Sequence, residues 1–310
     1  MRIRCFFLIK ILSLFLIVIY VINSLIPKQN DDFSFHNFDN RDGYKEPIIP
    51  NIVHYIILGN ISINFITFLS MASVLKVHRP ETIYIHCDYR PIENKYWKLL
   101  KSLSHKNNVV LYPKRLYRPE QVFGQPLSSV YHATDVARIM IMREYGGIYL
   151  DTDIIVLKPL HTFLRYEMVV SWPTNDNFGT QVLIGHKDAR FLKLWLEGYR
   201  RYRPRMWYYN AGQYPTEVIL YSAPHLVHRV TDQLGTQNLL KELYNSSDWT
   251  EWKRYYALHL LSRHPPAPQN LDEYSIRFYD KAFGEIARWV LFDLSPTLET
   301  DSEPSKWKFD

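Results

Sequence analysis

The stretch VYHATDVARIMIMREYGGIYLDTDIIVLKPL, residues 130–160, decides how this chain folds. Its first half has a helical period. Ala133, Val136, Ala137, Met140 and Ile141 fall on one face, and Gly146 and Gly147 supply the stop. The apolar run IYL then reads as a strand, with Asp151 and Asp153 at its carboxyl end. Ligands of open α/β sheets dock outside the carboxyl ends of the strands. The two acids therefore need not lie in the core; they stand at the rim of a sheet, where a charged ligand would arrive.

The segments upstream support an α/β sheet. NIVHYIIL (residues 51–58), IYIH (83–86) and VVLY (109–112) read as buried strands. FLSMASVLKV (68–77) and NKYWKLLKSL (94–103) between them suit helices. This alternation predicts a mostly parallel sheet beginning near residue 48. Downstream the pattern is less regular. MVVS and QVLI suit strands, DARFLKLWLEGYRRY suits an amphipathic helix, and RHPPAPQN (263–270) suits a loop. Neither an internal repeat nor a second linker is evident, so residues 48–310 are expected to form one domain.

The N-terminus carries its own signal. CFFLIKILSLFLIVIYVINSLI (residues 5–26) is close to the roughly 20 apolar residues that a membrane-spanning helix needs. Lys10 interrupts it near one end; Arg2 and Arg4 precede it, and Lys28 and then Asp31 and Asp32 follow. This charge bias puts the N-terminus in the cytosol and the rest across the membrane. The expected organisation is a tail and signal anchor over 1–27 and a polar stem over 28–47. A cleaved signal peptide is the alternative, but no small-x-small cleavage site is evident. Cys5 and Cys87 are the two cysteines, so no disulfide can form within the soluble part. Asn60 and Asn245 head Asn-x-Ser triplets that would accept glycans in a lumenal domain. The net charge of +6 is spread along the 310 residues without a basic tract, so no nucleic-acid partner is expected.

The chemistry concentrates around the acids. Side chains at i and i+2 of an extended chain share a side, so Asp151 and Asp153 are expected to converge on one cation. Carboxylates together with phosphate oxygens suit manganese or magnesium. Asp135 and Arg138, three apart on the preceding helix, share a face and lie close to the acids along the chain. A bare Asp-x-Asp is also a common polar strand end, and an Asp–Arg pair at this spacing is also a common surface salt bridge.

The segment from His132 to Leu160 resembles the signature of the Asp-x-Asp sugar transferases, glycosyltransferase family 32 and its relatives. These include α1,4-galactosyl- and α1,4-N-acetylglucosaminyltransferases, Och-type mannosyltransferases and, more distantly, clostridial glucosylating toxins. The pattern is complete as Asp135, Arg138, Tyr145, Gly146, Gly147, Tyr149, Asp151 and Asp153. Residues 49–59, 177–195 and 210–218 are similar to other family segments. The resemblance implies a GT-A fold, Rossmann-like and built to bind a nucleotide sugar, with the donor held through Mn2+ (Mg2+ as the substitute). It implies catalytic roles for Asp135, Arg138, Asp151 and Asp153, donor binding by Asp135, Arg138, Tyr149 and Asp151, and metal ligation by Asp151 and Asp153. His259, in YALHLLSRHPP, stands where the family has a further histidine and reads equally as a metal ligand or as a core or loop histidine, because the tryptophan that follows it in the family is missing. Ile57 stands where toxin relatives carry a base-stacking tryptophan, and neighbouring Tyr55 is expected on the opposite face. RRYRPRMWYYN (200–210) interleaves cations and aromatics; it reads as a helix end or as a grip for an acceptor glycan.

The resulting expectation is a retaining hexosyl- or N-acetylhexosaminyltransferase. It would use a nucleotide-diphosphate sugar and a glycan or glycolipid acceptor, and would be a single-pass type II protein of the Golgi membrane with a lumenal domain. Retention comes from the family resemblance. One alternative is an inactive glycan-binding membrane protein on the same fold. Another is an Asp-x-Asp phosphohydrolase, whose first aspartate would be the nucleophile.

Overall fold

The computed structural model describes residues 35–59, 62–89 and 93–292. The expected span over residues 5–26, Asn60 and the last eighteen residues of the chain lie outside them. Among the described residues no helix is long and apolar enough to cross a membrane. The unit described here begins at Phe38. The segment 38–47, expected as stem, belongs to it. Asn40 is buried, and its Oδ1 accepts from Glu167 N at 2.8 Å.

Three strands open the sheet: β1 (Ile52–Ile57), β2 (Thr82–Cys87) and β3 (Val110–Arg115). They alternate with helices α1 (Phe65–Ser73) and α2 (Lys95–Lys106). Helix α3 (Val130–Tyr145) leads into β4 (Gly147–Leu150), followed by β5 (Ile154–Val156), β6 (Met168–Ser171) and β7 (Gly179–Gly185). Helix α4 (Arg190–Gly198), β8 (His228–Val230), helix α5 (Leu240–Asn245), β9 (Ala257–His259) and helix α6 (Ala282–Phe292) complete it.

The seven-stranded sheet runs β8-β6-β7-β4-β1-β2-β3. Strands β4, β1, β2 and β3 are parallel. Strand β7 is antiparallel to both β4 and β6 and the other neighbouring pairs are parallel, so the sheet is mostly parallel, as the sequence pattern predicts, with one reversed strand. The chain leaves β1 toward β2 and β3, then returns to place β4 on β1's other side. The strand ends at β1 and β4 are therefore a topological switch point, the place where such sheets bind ligands.

Alternation along the strands splits the core into two layers. Val53, Tyr55, Ile148, Leu150, Val182 and Ile184 face one layer, with α1 and α6. Ile56, Tyr149, Val170 and Leu183 face the other, with α3 and α4. Two expectations are corrected here. Tyr55 and Ile57 share a face rather than opposing one another, because they are two apart on a strand. Tyr55 is fully buried, with its hydroxyl 3.1 Å from Ser70 Oγ. Met140 is exposed, because α3 packs Ile139 and Met142 inward instead.

The glycine pair has a steric cause. Gly146 and Gly147 have φ of +65° and +101°. A Cβ on Gly147 would lie 2.7 Å from Ile52 Cγ1 and 2.8 Å from Ile52 O. Glycine lets the end of α3 close down onto β1. Beneath this turn His54 bonds the Gly146 carbonyl through Nε2 at 2.9 Å and meets His86 Nε2 through Nδ1 at 3.0 Å. Burial lowers both pKa values, to about 4 for His54 and about 3 for His86.

Candidate active site

Strand β4 ends at Leu150, and Asp151–Asp153 form a turn, closed by the bond from Ile154 N to Asp151 O at 3.1 Å. The acids therefore do not share one side of an extended chain. They reach the same cleft from a turn. Two anchors hold that turn. Asp151 N donates to Gln181 O at 2.9 Å. Downstream, α1 grips β5: Ser70 Oγ donates to Ile154 O at 2.6 Å, and Ser73 Oγ accepts from Val156 N at 2.9 Å.

Around Asp151 the side chains form a network. Tyr149 donates its hydroxyl to Asp151 Oδ1 at 2.6 Å. Arg138 Nη2 lies 3.2 Å from Asp135 Oδ1 and 3.6 Å from Asp151 Oδ1. Its Nη1 donates to Thr180 O at 2.8 Å, and its guanidinium sits 4.9 Å from the Tyr149 ring centroid. Burial opposes the Arg138 charge, but Tyr149, Asp151 and Asp135 outweigh it, so its pKa lies above the ordinary arginine value. Burial raises Asp135, and the Arg138 charge pulls it back without cancelling the effect. Arg138 Nε is buried with no hydrogen-bond partner among the described residues. Asp135 and Arg138 thus form an internal bridge between α3 and the acid turn, not a surface salt bridge.

Asp153 is held separately. Antiparallel pairing of β9 with β5 sets His259 opposite Ile154. His259 Nε2 lies 3.2 Å from Asp153 Oδ1. Ser262 N and Oγ both donate to Asp153 Oδ2 at 3.1 Å. Burial would raise the Asp153 pKa, but the His259 and Ser262 bonds prevail and bring it to about 2. Burial disfavours a charged His259, yet the bond and charge of Asp153, with Asp151 behind, raise its pKa above the usual histidine value. Ser262 carries no signal in the sequence beyond its place three residues after His259.

Asp135, Arg138, Tyr149, Asp151, Asp153 and His259 all line one cleft of about 630 Å³ at the switch point. The sequence brought these six forward, and the fold gathers them. Gln181, Tyr131 and Trp207 line it too. The carboxylates and imidazole are donors that manganese or magnesium accepts. Asp153 Oδ1 and His259 Nε2, 3.2 Å apart, are the donors that stand nearest one another. Among the described residues no group of three or more His, Cys, Asp or Glu side chains is gathered closely enough to hold a metal ion by itself. These side chains supply only part of a cation's ligands, and a bound phosphate would have to supply the rest.

Comparison with known proteins bears on the same segment. Residues 70–177, which contain α3 and the acid turn, match the family described as "Glycosyltransferase sugar-binding region containing DXD motif". The match takes in Asp135, Arg138 and both acids of the turn. Among curated proteins, the chain is 26% identical to glucan organizing enzyme 1 of Cryptococcus neoformans var. grubii, over 56% of this chain and 52% of that protein. It is 29% identical to lactosylceramide 4-alpha-galactosyltransferase of Rattus norvegicus, over 40% of this chain and 34% of that protein. The chain thus spans about half or less of the curated relatives it matches. Among solved structures, the glycosyltransferase GlyE of Streptococcus pneumoniae TIGR4 superposes with a TM-score of 0.50 at 12% identity, covering 79% of this chain and 61% of GlyE. That likeness speaks to the fold alone.

Proposed function

We propose that the protein is a metal-dependent glycosyltransferase. It moves a hexose or N-acetylhexosamine from a nucleotide-diphosphate sugar to a glycan or glycolipid hydroxyl, with retention of configuration. The observation that carries this is the gathering of Asp135, Arg138, Asp151, Asp153 and His259 in one cleft at the switch point.

Asp151, Asp153 and His259 would hold Mn2+, with Mg2+ as its substitute. When bound, the ion supplies positive charge against the diphosphate leaving group. The chain's own residues do the rest. Arg138 holds the Asp135 and Asp151 carboxylates in place by sharing its fork between them. Asp135, the most sheltered acid on α3, accepts hydrogen bonds from donor-sugar hydroxyls. The turnover needs no covalent intermediate. The anomeric carbon–phosphate oxygen bond breaks, a bond to the acceptor oxygen forms on the same face, and the acceptor proton passes to the leaving phosphate. The relative named as a lactosylceramide galactosyltransferase supports a galactosyl donor and a glycolipid acceptor. The apolar span over residues 5–26 would provide a type II anchor with the catalytic domain in the lumen.

The test is hydrolysis and transfer with a panel of nucleotide sugars, with manganese and with EDTA. Metal-dependent release of nucleoside diphosphate from one or two donors supports the proposal. Failure of every donor, with the glycan still bound, favours the inactive glycan-binding alternative.

A further inference from the structure

Two large rings at the mouth of the cleft are not used by the Asp–Arg network. Trp207 is 61% exposed and Tyr131 43% exposed. Their centroids are 4.9 Å apart with the planes at 65°. Arg263 joins them: Nη1 donates to the Tyr131 hydroxyl at 3.0 Å, and the guanidinium is 5.2 Å from the Tyr131 centroid. All three line the cleft that holds Asp135 and Asp151. Clustered apolar rings in water mark binding surfaces.

The loop that carries Trp207 is fixed by polar groups, of which His132 and Asn210 are buried. His132 Nε2 bonds the Trp207 carbonyl at 3.2 Å, and its Nδ1 meets the Tyr202 hydroxyl at 2.6 Å. Ser128 Oγ donates to Pro204 O at 2.9 Å. Asn210 Oδ1 accepts from Arg203 N at 2.9 Å, and the Asn210 carbonyl accepts from the buried Trp195 indole at 3.0 Å. The ring is thus presented by a braced loop, so little ordering cost falls on a ligand.

Position argues for what the ligand is. Tyr131 lies on the first turn of α3, with Asp135 and Arg138 further along the same helix. At the helical rise these are about 6 Å and about 10 Å away along the axis. That gap accommodates one or two hexose rings between the platform and the acid turn. At the end of β1, Ile56, Ile57 and Leu58 line another part of the cleft, at the strand end where sheets of this kind bind ligands. Trp207 comes from a loop outside the sheet.

We infer that Trp207, Tyr131 and Arg263 form the acceptor subsite, and that the acceptor is a glycan whose hexopyranose lays its C–H face on the Trp207 ring. This rests on the glycosyltransferase reading above. A pyranose with its axial hydrogens on one side has an apolar face and a rim of hydroxyls. Indole offers a flat apolar surface of matching size, and Arg263 supplies N–H donors at its edge.

The experiment compares the wild type, Trp207→Ala, Trp207→Phe and Tyr131→Ala. Transfer from the best donor of the panel is measured with lactose and cellobiose as acceptors, and KM is determined separately for donor and acceptor. Trp207→Ala should raise acceptor KM about tenfold, the effect of removing one good stacking interaction. Trp207→Phe should restore most of it, and donor KM should stay within about twofold. A parallel rise in donor KM would mean that the rings hold the nucleobase; an unchanged acceptor KM would mean that they hold nothing. Either overturns the inference. Saturation-transfer NMR of lactose and cellobiose on the wild type and Trp207→Ala gives a readout independent of turnover. Saturation of the sugar C–H protons that is present in the wild type and absent in the variant supports the subsite. No saturation in the wild type refutes it. Failure of the glycosyltransferase reading shows separately, as a wild type that hydrolyses no nucleotide sugar.

Discussion

Asp153→Asn separates two pictures of the acid turn. From the sequence alone, two neighbouring carboxylates without metal should repel, and removing one charge should leave stability level or raise it slightly. The structure predicts the opposite. Asp153 accepts from Ser262 N, Ser262 Oγ and His259, all within 3.2 Å. An asparagine can keep both Ser262 bonds through Oδ1. It loses the charge-assisted bond to His259, worth about 1.5–3 kcal/mol. The depressed pKa of Asp153, about 2 against an ordinary 3.8, combines this bond with those from Ser262 and corresponds to about 2 kcal/mol. For a domain of this size, that lowers Tm by roughly 4–8 °C. The assay is a thermal melt at pH 6 in EDTA, with His259→Gln and the double variant completing a cycle. The single variants should not add, because each breaks the same bond. A Tm for Asp153→Asn equal to or above wild type would refute the ion-pair reasoning.

Arg138→Lys keeps the charge but not the fork that reaches Asp135, Asp151 and Thr180 together. Turnover should fall about a hundredfold, by analogy with the loss of one positioned electrostatic group, while circular dichroism stays native; activity within twofold of wild type would contradict the assigned role. Gly147→Ala should destabilise by at least about 2 kcal/mol in urea, because its Cβ would meet Ile52 at a φ of +101°; an unchanged midpoint would show that the turn can relax. Acid should weaken the fold through His54 and His86, whose folded pKa values are depressed to about 4 and about 3 from 6.5. Their contribution is fully present above pH 6.5 and is lost as pH falls toward those values. His54 alone accounts for on the order of 3 kcal/mol by pH 4. A His54→Gln variant should show a flatter fall in urea midpoint between pH 6.5 and 4.5, and an identical slope would count against the buried pair.

The sheet and the acids are legible in the sequence because their signals are local. Three apolar runs, two glycines and an Asp-x-Asp each announce themselves within a few residues. What joins distant parts is not legible. The reversal of β7 depends on pairing across the sheet rather than on any property of its own residues, so the pattern alone fits a parallel arrangement equally well. Ser262 lies 109 residues from Asp153 and binds it only because β9 pairs with β5. Arg138 and Asp135 look as much like a surface salt bridge as a buried one, since spacing shows a shared face and not what covers it. Trp207 stands out as part of an aromatic–cationic run, but its place at the cleft mouth comes from the bracing by His132 and Asn210.

The central claim is that the turn from Asp151 to Asp153 holds a nucleoside diphosphate through a divalent cation. Calorimetric titration of UDP and GDP into the protein, with manganese and with EDTA, tests it without needing donor sugar or acceptor. The account predicts binding of one nucleotide with manganese, its loss in EDTA, and its loss in both Asp151→Asn and Asp153→Asn variants that remain folded. Binding that is indifferent to EDTA and to both substitutions, or no binding of either nucleotide by the wild type with manganese, would contradict it.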